Sequence, residues 1–152
     1  MEDLSSKLQI HNMPETKGDY RIVELYVNDT PHFLFQHGNQ KYHKQVLKDF
    51  LDENKLEYKE SRLPDESDIG PLLKNEGVYS VNGMGEIYIE PENKKVHYPR
   101  SSSANYEIMT SDKFNMMMML YLENKGFEII DTHNRMGRRQ ARYIKYSTNS
   151  FI

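Results

Sequence analysis

Three groups of side chains in this sequence could carry chemistry. The first is His97, on a short alternating run, KVHY, just ahead of Ser101, Ser102 and Ser103. A histidine with one ring nitrogen free can act as nucleophile or general base near neutral pH. A loop of hydroxyls and backbone N–H groups beside it could hold a phosphate. The same histidine also reads as an ordinary wet strand residue, since alternation sets it opposite Val96. The second group is Arg135, Arg138, Arg139, Arg142 and Lys145, with Tyr143 and Tyr146 interleaved. Arginine forks contact phosphates and tyrosine rings stack on bases, so the pattern suits nucleic acid. A solvated hairpin tip, paired with the acidic remainder of the chain, is the plainer reading. The third group is His32, His37 and His43. They lack the His-x-x-x-His spacing of a helical metal site and no carboxylate is placed as a further ligand. They therefore predict structural roles, one near a helix start, and no metal.

Other chemistry is excluded by what is absent. With no cysteine there is no disulfide, no thiolate nucleophile and no Cys-based zinc site. There is no phosphate loop ending in Gly-Lys-Ser/Thr, no Gly-x-Ser-x-Gly and no His-Glu-x-x-His. Glu86 and Glu90 share a strand face and read as solvated charges. No cofactor is implied.

The elements that must position these residues come from a chain of 152 residues, enough for one domain with one core. A 37% apolar and 28% charged composition predicts a small core under a heavily solvated surface, with the 11% aromatic residues filling it. The charge is uneven. Residues 132–152 carry five cations and no acid, whereas residues 1–131 carry 15 − 23 = −8. Such asymmetry can mark a polyanion-binding edge. No apolar run approaches the roughly 20 residues that span a bilayer, and Met1-Glu2-Asp3 does not open a signal peptide. A cytoplasmic protein with no membrane partner is expected.

Residues 1–17 read as a lead-in, with a short edge strand around Leu8 and Ile10. Residues 20–27 and 32–37 form a hairpin across the turn residues Asn28, Asp29 and Pro31. Along the first strand, Arg21, Val23, Leu25 and Val27 make the cleaner apolar face. Residues 41–54 form an amphipathic helix with Tyr42, Val46, Leu47, Phe50 and Leu51 on its apolar stripe. A short strand is expected at 56–59, then an irregular excursion at 60–76 with a helical turn near Leu72. A second hairpin spans 81–106, opening on Gly83 and Gly85 and turning at Pro91-Glu92-Asn93. Thr110 or Ser111 caps a second helix over 114–122, closed by Gly126. Its methionine run, Met116 to Met119, is soft apolar surface that fits a core or a homodimer through residues 116–122. Strands at 127–131 and 141–146 end the chain, the latter closing a basic hairpin over 132–152. The result is a single α+β domain with one mixed or antiparallel sheet and two main helices.

That order of elements resembles the Janus/Ocnus family, which includes the eukaryotic phosphohistidine phosphatases. The resemblance rests on Gly18-Asp19-Tyr20-Arg21-Ile22-Val23, on Tyr42-His43 at the helix start, on Gly83-Met84-Gly85-Glu86-Ile87, and on Lys95-Val96-His97-Tyr98 leading into the serine loop. It implies a Janus-like layout and a metal-independent protein-histidine phosphatase. Carried along the Gly-x-Gly-x-Ile strand, it puts the catalytic histidine two residues beyond the isoleucine, where this chain has Ile89. It further implies an anion pocket of Arg21, Gly83, Gly85, Ser102, Ser103 and Ala104. The expectation is then a non-catalytic binder of a phosphorylated protein or other anionic ligand. The alternatives are a phosphatase that has moved its histidine to His97, and a nucleic-acid-binding module built on the basic C-terminal hairpin.

Overall fold

The structure, a computed structural model, describes residues 7–100, 102–103 and 105–130. The basic residues Arg135, Arg138, Arg139, Arg142 and Lys145, the strand expected at 141–146, and Ala104 of the anion pocket lie outside the described residues.

The strands are β1 (Gln9–His11), β2 (Gly18–Val27), β3 (Thr30–Phe35), β4 (Glu60–Arg62), β5 (Ile69–Pro71), β6 (Lys74–Asn75), β7 (Tyr79–Glu90), β8 (Lys95–Arg100), β9 (Ser102–Ser103), β10 (Ile108–Met109) and β11 (Glu128–Ile130). The helices are α1 (His43–Glu53) and α2 (Asp112–Asn124). The main sheet runs β1-β3-β2-β7-β8-β11, with β6 added beside β7. Its centre is antiparallel, whereas both outer strands are parallel to their neighbours, β1 to β3 and β11 to β8. A parallel neighbour needs a crossover, and α2 supplies the one between β8 and β11.

One helix lies on each face. Alternation sends Ile22, Phe33, Phe35, Ile87, Ile89, Val96 and Tyr98 to a core with Phe114, Met117, Met118 and Leu122 of α2. It sends Val23, Leu25, Leu34 and Met84 to a core with Val46, Leu47, Phe50 and Leu51 of α1. The middle of β2, Ile22 to Leu25, is therefore buried on both faces, so the Val23 and Leu25 face expected to be the cleaner apolar one is matched by a second apolar layer. Met117, Met118 and Met119 are buried against the sheet of their own chain, while Met116, Leu120 and Tyr121 stay half-buried.

Local chemistry sets the helix ends. Gln45 Oε1 reaches back to accept the N–H groups of Lys41 and Tyr42, at 2.6 and 3.1 Å, and Asn54 Nδ2 closes α1 on Phe50 O at 2.8 Å. Ser111, rather than Thr110, caps α2 by accepting Phe114 N–H at 3.3 Å. Gly126 follows α2 in the left-handed region, φ +88°.

The stretch at 60–76 is more regular than its turn residues suggest. It carries the β4–β5 pair and β6, with no helical turn near Leu72, and the strand expected at 56–59 starts at Glu60 instead. No helix among the described residues is long and apolar enough to cross a membrane.

Candidate functional site

Three central strands build a polar row on the α1 face, past the end of the apolar core. In register, Arg21 of β2 stands opposite Glu86 of β7, and Glu86 stands opposite Arg100 of β8. Directly opposed residues share a face, and Arg21 shares the face of Val23 by alternation. The next row along is Asp19, Tyr88 and His97. An extra residue in β8 between these rows, a bulge at the cis Tyr98–Pro99 peptide, brings Arg100 back to the face that His97 occupies. Arg100 makes an ion pair with Asp19.

Helix α1 begins above this row. Its first residue, His43, is buried, and Nε2 lies 2.8 Å from Gly85 O. A carbonyl oxygen only accepts, so Nε2 carries the ring proton and the free lone pair belongs to Nδ1. Burial pulls the His43 pKa below the usual imidazole value, and the nearby Arg21 charge pulls the same way. The Gly85 bond and the Glu86 carboxylate act in the opposite direction. The ring is neutral at physiological pH.

The loop after β8 is braced from the other side. Ser102 is exposed, whereas Ser103 is buried and its Oγ accepts Tyr106 N–H at 3.3 Å. Ser103 therefore braces its own turn. Asn105 Nδ2 donates to Asp65 Oδ2 and Ser67 Oγ, at 3.0 and 2.8 Å, and Tyr106 Oη donates to Pro71 O at 2.9 Å. Lys44 pairs with Asp68, and Lys48 Nζ lies 2.8 Å from Glu60 Oε1. The segment at 60–71 thus ties the loop to the first turns of α1.

Other expected site residues are placed differently. Gly83 and Gly85 lie inside the long strand β7, in ladder with Glu24 and Ile22, and not in a donor-rich loop. The role of Gly83 is close approach. A Cβ there would land on Glu24 Oε1 and within 2.8 Å of Ser111 N and Met109 O. Ile89 is wholly buried on the α2 face, so a histidine there would point away from Arg21 and into the core. His97 is half-buried, its ring edge-on to Tyr88 at 5.4 Å, one row from Arg21. The three clustered histidines separate. His43 joins the row, whereas His32 Nδ1 meets His11 Nε2 at 2.8 Å. Both of those rings pack on Phe50. Among the described residues no group of three metal-ligating side chains converges.

The reverse face holds a sealed polar network that alternation alone does not reveal. Glu24, wholly buried, accepts Ser111 N–H at 2.9 Å. Tyr98 Oη lies 3.0 Å from Glu24 Oε2 and 2.7 Å from Asn115 Oδ1. A phenol has one hydrogen and both neighbours are acceptors unless Glu24 is protonated. Burial pushes the Glu24 carboxyl up to about 8, so it carries a proton and donates to Tyr98, which donates to Asn115.

Sequence reasoning missed His43 as a chemical group and missed Asp19 and Arg100 altogether. The signal for Arg100 was a register, not a motif, and the β8 bulge hides it from simple alternation. Comparison with known protein families and with curated proteins returns no match.

Proposed function

We propose that this chain handles a phosphoryl group on the α1 face, with Arg21 as the anion-holding cation and His43 as a metal-independent nucleophile. One observation carries the reading, the bond between His43 Nε2 and Gly85 O at 2.8 Å. It fixes the tautomer that leaves Nδ1 with its lone pair, and burial keeps the ring in the neutral, nucleophilic form. Arg21 shares the same face and is near enough to act on the ring's protonation. In the step this arrangement suits, Nδ1 bonds to phosphorus as the bond to the leaving atom breaks. The leaving atom takes the electron pair and a proton from water. A second water then attacks phosphorus, releasing inorganic phosphate and the free imidazole.

The Janus/Ocnus resemblance supports the same class of ligand, a phosphorylated protein side chain. Its histidine position falls on Ile89, and on that alone it implies a binding protein. His43 removes the need for that histidine, and it suits the role better than His97, which stands a row away beside Tyr88.

The test is phosphate release from a phosphohistidine peptide by the full chain in excess chelator. H43N should lower turnover by at least about a hundredfold, in line with loss of a nucleophile, and H97N should stay close to wild type. Wild-type binding of phosphate without turnover would leave an anion-binding protein. Undiminished turnover in H43N would remove His43 from the chemistry.

A further inference from the structure

We infer that Arg100 is a second anion-binding cation of this site, and that Asp19 occupies it until a dianionic ligand arrives. The inference rests on the phosphoryl-site reading and deepens it. Arg21 and Arg100 flank Glu86 in one row, so their Cα atoms are two strand spacings apart, roughly 10 Å. Two arginine side chains on one face can converge over that gap. The row holds two guanidinium groups, and the carboxylates against them are Glu86 and Asp19. Asp19 is the more open member of its pair, with 57% of its side chain exposed against 35% for Arg100. An ion pair so wet contributes little and is displaced at small cost.

A phosphoryl group offers a guanidinium more than Asp19 does, because its oxygens accept two parallel bonds and carry two charges. Arg100 also leads directly into the loop with the exposed Ser102. The bulge in β8 is what places it there. In an unbroken strand, position 100 would face the opposite layer from His97. The pairing with Asp19 gives the site selectivity for charge. A monoanion such as acetate gains too little to replace a carboxylate already in place, whereas a dianion replaces it with surplus. The ligand class is therefore a dianionic tetrahedral oxyanion.

Titration of inorganic phosphate and of acetate into the full chain, followed by amide NMR at mildly alkaline pH, tests this. R100Q should weaken phosphate binding about tenfold, the usual worth of a charge-assisted bond. D19N should tighten it about threefold, as expected for removing an exposed competitor. Acetate should leave the spectrum of wild type unchanged. Phosphate bound equally by wild type and R100Q, with R21Q defective, overturns the role of Arg100 and leaves the site standing. Binding that neither R21Q nor R100Q alters overturns both. If R100Q folds poorly, D19N decides alone, and unchanged or weaker binding in D19N sinks the displacement idea.

Discussion

The two faces of the central sheet handle polar side chains in opposite ways. On the α2 face, Glu24 lies under a capped helix and has lost its charge. On the α1 face, Arg21, Glu86, Arg100 and Asp19 lie past the end of α1, with Arg100 ion-paired to Asp19. Strands β2 and β8 supply residues to both sets. What differs is coverage. Where a helix seals the face, ionisation costs more than a proton, and the carboxyl holds its proton until about pH 8. Where the face stays half-open, polar side chains pair at the surface, as Arg100 does with Asp19.

The sealed face should be the easier one to break. G83A drives a methyl group into Glu24 and the 109–111 backbone, and should cost about 3 kcal/mol by overpacking, read as a lower midpoint in urea unfolding. Gly85, two residues along the same strand, pairs with Ile22, and its carbonyl accepts from His43.

The protonated Glu24 should show next, in the pH dependence of stability. Its folded pKa, about 8, lies above its ordinary value of 4.5. Its contribution is complete below the unfolded pKa and is lost as pH rises through the folded one. Stability should therefore decline from about pH 5 to 8, and E24Q should flatten that decline. A decline that persists unchanged in E24Q would move the proton elsewhere.

The α1 side should respond to acid in the reverse sense. His11 and His32 share one bond at 2.8 Å, which a doubly protonated pair cannot make. Burial lowers both, His32 to about 4, with His11 adding to the effect on His32. Glu53 of α1 opposes it at His11. A depressed histidine contributes stability above its unfolded value of 6.5, and that contribution is lost as pH falls toward 4. Hydrogen exchange should show β1 amides losing protection over that window ahead of the β2–β7 pair, and H32Q should remove the difference. Simultaneous loss in both places would mean global acid unfolding instead.

The smallest effect belongs to the open row itself. D19N removes an exposed partner of Arg100 and should shift stability by less than about 1 kcal/mol. A larger loss would show that the row is structural, and would dissolve the contrast between the faces.

Much of the fold was legible in the sequence. The hairpins, both helices, Ser111 as a candidate cap, Gly126 and the early edge strand follow from local periodicity and turn chemistry. The short strands at 60–75 were not, because a strand of two or three residues has no period to read. The site was legible only in part. Arg21 follows from its strand motif, but His43 reads as a structural histidine, since nothing local shows that Gly85 O waits for it. The bond from Tyr106 N–H to Ser103 Oγ spans three residues of a loop and leaves no periodic signal in the sequence.

The sequence by itself determined which segments become strands and helices, and which residues alternate to which face, because these are properties of neighbours along the chain. Tertiary structure alone decided what each face became. Strand order put β2, β7 and β8 side by side, and the β8 bulge turned Arg100 toward Arg21. The two helices then covered unequal parts of their faces. Burial and hydrogen-bond partner depend on that coverage, so Glu24 is a protonated core residue while Arg21, in the same strand, stays only half-buried.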